Sequence, residues 1–469
     1  MGPPAARYVA ACRRPLPRTE RAVPQRRSRR DFLKRSAVAA GVGLSVPYFH
    51  TLTSRAEEAK NDRFTVAAIG VGGRGRGIGN QLRQRGDCVA VCDVDRHHAE
   101  RFRGEDSNIQ IYEDHRELLD RQDIDLVTIG TPDHWHAPIL LDALQAGKDV
   151  YCEKPLTLTI DEGKLLCRAV EQSGRIVQVG TQQRTEFEQR FLQAVALVRS
   201  GRLGKIKKLT VGIGGSPLGG PFEVKTPPDY FNWDRWLGQT PAVDYIAERT
   251  HSHFRWWYEY SGGKVTDWGA HHVDIAQWAL GLENTTAHTI EPLSVTHPVE
   301  FRDGFPTESN RFNAANAFKI RCLYPGDIEM ILQDEENGIL FEGEKGRIFV
   351  NRGRVSGKPF EEIFGDEEKQ IPRDEEKVAE LEEQVHTLFG GREPKGHMDN
   401  FLDAVKDREL PISDVFTHHR ALTTCHLANI AIRLGRTLRW DGDTESVVED
   451  DQVNELWLKR PQREGYQFG

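Results

Sequence analysis

At 469 residues the chain is long enough to bury a sizeable core across two or three domains, and 38% hydrophobic with 9% aromatic content suits a globular fold. No run of eighteen apolar residues occurs, so no membrane-spanning helix is expected. The net charge of −8 conceals an asymmetry: residues 1–56 hold 12 Lys+Arg against 2 Asp+Glu, and the remainder stands at −18. So acidic a body argues against nucleic acid as a partner and favours small neutral substrates.

Residues 1–58 read as an address and a linker. Ser28-Arg29-Arg30-Asp31-Phe32-Leu33-Lys34 precedes a mild apolar run from Ser36 to Phe49, too short to span a bilayer. The segment resembles a twin-arginine export signal, with cleavage expected between Pro47 and Ala59. That implies an encounter with the twin-arginine export machinery and a periplasmic or exported protein, carried across already folded. Residues 1–27 exceed what such a signal needs, which also suits a start downstream of Met1. The seven cysteines (Cys12, Cys88, Cys92, Cys152, Cys167, Cys322, Cys425) are odd in number and form no Cys-x-x-Cys pair, so they read as reduced thiols.

Phe64 to Ile69 is an apolar, partly β-branched run, as a buried parallel strand should be. It leads into Gly70-Val71-Gly72-Gly73-Arg74-Gly75. Gly70 permits a tight turn, Gly72 lets the backbone approach a pyrophosphate, and Gly75 allows close helix–strand packing. A second strand, Cys88 to Cys92, ends at Asp93, eighteen residues after Gly75, where a carboxylate can bind ribose hydroxyls. The order strand, turn, helix, strand, acid points to a dinucleotide. Asp93 would repel a 2'-phosphate, which favours NAD over NADP, although Arg96 nearby keeps NADP open.

A third strand, Ile124 to Ile129, runs into Gly130-Thr131-Pro132-Asp133-His134-Trp135-His136. His134 and His136 have the spacing of a metal pair, but no Cys or Glu set accompanies them, so no metal is expected. Contact with the cofactor or a structural hydrogen bond suits them better. After a helix ending near Gly147, the strand Asp149 to Cys152 delivers Glu153-Lys154-Pro155 to the same carboxyl edge. Pro155 stops the strand, so Lys154 projects from a defined backbone toward a reacting hydroxyl. Gly262-Gly263-Lys264 then precedes Asp267-Trp268-Gly269-Ala270-His271-His272-Val273-Asp274, whose spacing reads as a helix with Asp267 and His271 on one face. His271 suits proton abstraction from an alcohol, and Asp267 suits substrate hydroxyls or orientation of the imidazole; a capping aspartate and a core histidine would fit the same spacing.

Taken together, the glycine-rich turn, Thr131-Pro132 with His136, Glu153-Lys154-Pro155, and Gly-Gly before Asp267-x-x-x-His271 resemble the Gfo/Idh/MocA family of oxidoreductases over roughly residues 62–440. The resemblance implies an α/β chain: a Rossmann doubly wound parallel sheet over 62–180, then an α+β substrate and oligomerisation domain over 181–440 with an open, mostly antiparallel sheet. A tail, 441–469, would follow. It implies Lys154, Asp267 and His271 as the catalytic group. Gly70, Gly72, Gly73, Arg74, Gly75, Asp93, Thr131, Pro132, His136, Glu153 and Lys154 would hold the cofactor, and export in the folded state implies that it stays tightly bound. Lys264 departs from the third glycine of many members. A homodimer or homotetramer is implied.

Beyond Gly180 the pattern gives Thr181 to Arg184, a helix through Val198, and strands at Lys207–Ile213, Ala317–Leu323 and Ile328–Leu332. The acidic run Glu361–Glu383 lacks a long apolar stripe and reads as a solvated excursion. Phe401 to Val405 and Ala421 to Leu434 read as helices, with Gly435 a C-cap. Aromatics crowd the approach to Asp267, and flat rings with polar neighbours suit a pyranose. Arg184, Trp233, His253, Arg255, Trp256 and His272 are the candidate substrate contacts, although core packing explains rings such as Trp236 as well. The function expected is hydride exchange between a sugar or polyol carbon and the nicotinamide. Two alternatives stand beside it: a redox-neutral NAD-dependent glycoside hydrolase that oxidises its sugar transiently, and a non-catalytic sugar-binding protein on a Rossmann scaffold.

Overall fold

The computed structural model describes residues 63–469, so the export-signal segment, its cleavage region and Cys12 lie outside the described residues. Thr65–Ile69 (β1) is buried along nearly its whole length, which is why it reads as a continuous apolar run rather than an alternating one. It is joined by Asp87–Cys92 (β2), Gln110–Tyr112 (β3), Leu126–Ile129 (β4), Asp149–Glu153 (β5) and Val177–Gly180 (β6) in the spatial order β3-β2-β1-β4-β5-β6, with every pair parallel. The order reverses between β1 and β4, and loops at the carboxyl ends of those strands flank the ligand crevice of such sheets. Local chemistry fixes the intervening helices. Asp95 caps Arg96–Arg103, Asp114 caps His115–Leu119, and Thr159 with Glu162 forms a complete capping box on Ile160–Ser173.

The second sheet has nine strands. Ile206–Gly212 (β7), Thr289–Thr296 (β8), Ala317–Tyr324 (β11), Ile328–Gln333 (β12), Gly338–Gly343 (β13), Gly346–Val350 (β14), Val355–Ser356 (β15), Leu438–Asp441 (β16) and Ser446–Val447 (β17) follow the order β15-β14-β13-β7-β12-β11-β8-β16-β17. Phe301–Arg302 (β9) and Phe305–Pro306 (β10) form a separate two-stranded ribbon. Only β7 and β12 pair in parallel in the large sheet, so it is mixed and mostly antiparallel. Along β11 buried and less buried residues alternate, the period of a sheet with one covered face. The helix Val415–Leu434 is buried almost all round, and it packs on the helices Ile160–Ser173 and Gly269–Leu280 and on β8. It thereby joins the core under the first sheet to the core under the second.

Three local expectations change. The helix after Arg184 begins only at Arg190, because Phe187, Glu188 and Gln189 adopt positive φ. The acidic run is helical: Lys358–Phe364 and Glu375–Leu388 fold there, and Val378, Leu381 and Val385 are buried against the helix Arg190–Arg199. Three apolar residues at i, i+3 and i+7 suffice to dock it, a stripe shorter than the sequence reading required. The helix expected across residues 267–281 is interrupted at Trp268, between Gly263–Asp267 and Gly269–Leu280.

Candidate active site

Gly70 leaves β1 at φ +73°, and a Cβ there would lie 2.6 Å from the Thr131 backbone. At Gly75 a Cβ would fall 1.9 Å from the Gly70 carbonyl oxygen, so the helix Gly73–Arg83 can approach the strand this closely only without a side chain. No side chain caps that helix, which leaves its first N–H groups for a ligand. Asp93 fastens the turn from the end of β2: its carboxylate accepts from Val71 N at 2.8 Å and from Asp95 N at 2.9 Å. Asp95, His98 and His251 gather beside it with ligand atoms within 4.8 Å of one another, and Asp95 also accepts from the first N–H groups of Arg96–Arg103.

These groups line one cleft of about 740 Å³, together with Gly72, Gly73, Arg74, Thr131, Pro132, His136, Glu153, Lys154, Arg255 and His271. Arg74 reaches across it, Nε donating to Glu153 Oε1 at 2.9 Å, and Gln182 Nε2 donates to the same oxygen at 3.0 Å. Thr131 Oγ1 is buried with no hydrogen-bond partner. His136 turns both ring nitrogens to backbone carbonyls, Nδ1 to Pro155 O at 2.7 Å and Nε2 to Thr131 O at 2.9 Å. Both carbonyls can only accept, and burial pushes the imidazole pKa down to about 4, so the neutral ring donates one hydrogen bond, to the β4 loop or to the β5 loop. His134 is buried away from the cleft, with Nε2 2.8 Å from Trp236 O.

At the far end of the cleft β5 delivers Lys154, whose peptide bond to Pro155 is cis. Its Nζ donates to Asp267 Oδ1 and to Asp267 O, both at 2.8 Å. Arg255 Nε donates to the same Oδ1 at 3.1 Å. Burial alone would raise the Asp267 carboxyl, but the two cations outweigh it and hold the group well below the usual carboxylate range. His271 Nδ1 lies 3.0 Å from Thr181 O. A carbonyl can only accept, so Nδ1 carries the proton and Nε2 keeps its lone pair. Burial and the Lys154 charge push the imidazole well below its ordinary pKa, so it is neutral. Nearby Asp133 accepts from Ser261 Oγ at 2.5 Å, and burial raises its carboxyl to about 7.

Of the expected substrate contacts, Arg255 alone lines this cleft. Arg184 is 3% exposed and forked onto Asp274 at 2.7 and 2.6 Å, which commits it to the core. His272 is buried between Gln183 Oε1 and Asn337 Oδ1. Trp233 stacks on Trp236 within an aromatic cluster, His253 is exposed, and Trp256 lies under Lys264. Conversely the cleft gains Glu186, Phe187 and Arg352 from the second domain, and Tyr466 near the chain's end. Only the Asn351-Arg352-Gly353 turn carried a sequence signal for any of these.

The uncapped helix start, the side-chain-free cradle at Gly70 and Gly75 and the orphaned Thr131 hydroxyl fit a dinucleotide. The sequence description "Oxidoreductase family, NAD-binding Rossmann fold" matches residues 64–181, and "Oxidoreductase family, C-terminal alpha/beta domain" matches residues 220–468. Inositol 2-dehydrogenase 2 of Saccharopolyspora erythraea is 27% identical over 268 residues, 56% of this chain and 59% of that protein. The scyllo-inositol 2-dehydrogenase (NAD(+)) of Bacillus subtilis is 30% identical over 174 residues, 37% of this chain and 40% of its own. The chain thus spans less than two thirds of the length of these curated relatives. In fold it is similar to the WlbA dehydrogenase from Bordetella pertussis, solved with NADH and UDP-GlcNAcA, at a TM-score of 0.56 and 20% identity over 81% of this chain and 99% of that one. With both family descriptions matched in order along the chain and the parallel sheet followed by the mixed one, this protein belongs to the Gfo/Idh/MocA oxidoreductase family.

Proposed function

We propose that the protein oxidises or reduces a CH–OH group of a sugar or polyol, with a tightly held NAD supplying the hydride acceptor or donor. The observation that carries the reading is that Lys154 and His271 line the same cleft as the glycine turn, with Lys154 Nζ 2.8 Å from Asp267 Oδ1. His271 Nε2 takes the hydroxyl proton as the alcohol becomes a carbonyl, since its Nδ1 is already committed to Thr181 O. Lys154 has three N–H donors and spends two on Asp267, which leaves the third for the developing alkoxide. Asp267 keeps the ammonium in place. Gly72, Gly73 and the first N–H groups of Gly73–Arg83 would hold the pyrophosphate, and Asp93 a ribose, which favours NAD over NADP.

The twin-arginine segment supports export in the folded state, with the cofactor carried inside. A cofactor that stays bound would have to be re-oxidised in place, through a second sugar or by return of the hydride to the first substrate in a redox-neutral glycosidase cycle. Purified protein should release NAD on denaturation and exchange it slowly when folded. Protein free of NAD and without affinity for it would defeat the proposal. Incubation with glycosides separates the two routes: free aglycone without a second sugar marks the glycosidase. Arg29→Lys with Arg30→Lys should retain the protein in the cytoplasm, as fractionation would reveal.

A further inference from the structure

Arg352 sits in the turn between β14 and β15. The turn is built before any ligand arrives: Asn351 Oδ1 accepts from Gly353 N and Arg354 N at 2.9 Å each, and Asn351 N donates to Arg354 O at 3.0 Å. Arg190 Nη1 donates to the Arg352 carbonyl at 3.2 Å, which pins the backbone to the start of Arg190–Arg199. The guanidinium lies between two rings, 4.5 Å from the Phe187 centroid and 4.6 Å from that of Trp268. Trp268 precedes His271 by three residues, and Arg352 and His271 line the same cleft.

Among the arginines that line the cleft, Arg352 differs in lacking a counter-charge: Arg74, Arg116, Arg235 and Arg255 each pair with a carboxylate. Among the described residues it makes no ion pair, and its Nε is buried without a hydrogen-bond partner. The carboxylates around it are engaged elsewhere: Glu153 holds Arg74 and Gln182, and Asp267 holds Lys154 and Arg255. Glu186 faces the same cleft but stays beyond ion-pair distance, and burial raises its carboxyl, which weakens it as a counter-charge. A partly buried, unpaired guanidinium is costly unless a ligand completes it. Its planar fork matches an oxyanion bidentately.

We infer that Arg352 is an oxyanion subsite, and that the substrate is a sugar or polyol bearing a carboxylate or phosphate ester rather than a neutral one. This rests on the proposed function for the reacting end only; the charge preference is a property of binding. It also revises the neutral substrate expected from the acidic body, because Lys154 and Arg255 share the single carboxylate of Asp267 while Arg352 has none, a local excess of positive charge that the net charge hides.

Calorimetric titration of the purified protein with glucose, glucuronate and glucose 6-phosphate tests it. One of the two anionic sugars should bind at least about tenfold more tightly than glucose, the range of a charge-assisted hydrogen bond. Arg352→Gln should remove that preference, and Arg352→Lys should keep part of it, with bound NAD and thermal stability unchanged in both. Equal affinity for all three sugars, or a preference that survives Arg352→Gln, would overturn the inference. So would loss of NAD from Arg352→Gln, which would assign the guanidinium to the cofactor's phosphates. An Arg352-dependent preference in protein that never holds NAD would overturn the proposed function and leave this subsite standing.

Discussion

Replacing Lys154 with methionine keeps the length of the side chain and removes its charge. In the folded protein Nζ makes two bonds of 2.8 Å to Asp267, and its side chain is 12% exposed. If the remaining N–H meets the alkoxide in a water-poor site, its loss should resemble loss of one preorganised donor, about 10²–10³-fold in kcat. Asp267 would keep Arg255 at 3.1 Å, so its carboxylate would not be stranded, and the stability cost should stay near 1–3 kcal/mol, below the 3–5 of a fully broken buried pair. With one of its two cations gone, the Asp267 carboxyl should titrate at higher pH than in the parent. The assay is single-turnover reduction of bound NAD by substrate, with NAD content and melting temperature measured on the same sample. Turnover within threefold of the parent, at equal NAD content, would refute the role.

Three further outcomes follow from the buried groups. Burial holds His134, His418 and His426 at about 3 and His136, His272 and His397 at about 4, below the free imidazole. The unfolded chain therefore takes up protons first, and stability should fall from about pH 6.5 downward, by about 2 kcal/mol at pH 5 for each group near 4; Asp133 and Glu162, raised to about 7, oppose this but are outnumbered by these six histidines together with His297, also at about 4. A melting temperature unchanged between pH 7 and pH 5 would contradict it. Arg184→Met leaves the Asp274 carboxylate buried at 2% exposure without its fork, at a cost of about 3–5 kcal/mol in chemical denaturation, and adding Asp274→Leu should recover part of the loss. Tyr466 closes the cleft edge through its hydroxyl on Asp234 at 2.7 Å while Arg463 Nε donates to Gly238 O at 2.8 Å, so Tyr466→Ala should speed NAD release by roughly tenfold for each 1.4 kcal/mol of ring packing that the substitution removes; an unchanged release rate would remove the tail from the site.

What was legible in the sequence was what neighbouring residues dictate. The glycine turn is forced by Gly70 and Gly75, whose missing side chains are required within six residues of one another, and Asp93 follows at the end of the next strand. Lys154, Asp267 and His271 were legible only as a set, through the family pattern. Residue type failed where the partner is distant. Arg184 and His272 look like substrate contacts until Asp274, Gln183 and Asn337 are seen to satisfy them. Arg352 and Tyr466 were missed for the converse reason: one arrives through the register of β14 and β15, the other from a tail docked on Asp234, and neither pairing leaves a periodic trace.

The same buried histidines connect acid stability to the candidate chemistry. The turn that follows Lys154 is held by three imidazoles: His136 Nδ1 at 2.7 Å from Pro155 O, His418 Nε2 accepting from Leu156 N at 3.4 Å, and His426 Nε2 at 3.2 Å from Thr157 Oγ1. His418 can accept only while its Nε2 is unprotonated, so a proton there turns a bond to the turn into a clash of two donors. Two of the three belong to Val415–Leu434, the helix that packs against both Ile160–Ser173 and Gly269–Leu280. Protonation of His418 should therefore loosen both the turn that follows Lys154 and the helix that packs beneath His271, whereas a proton on His136, which faces two carbonyls, would add a donor there instead of breaking a bond.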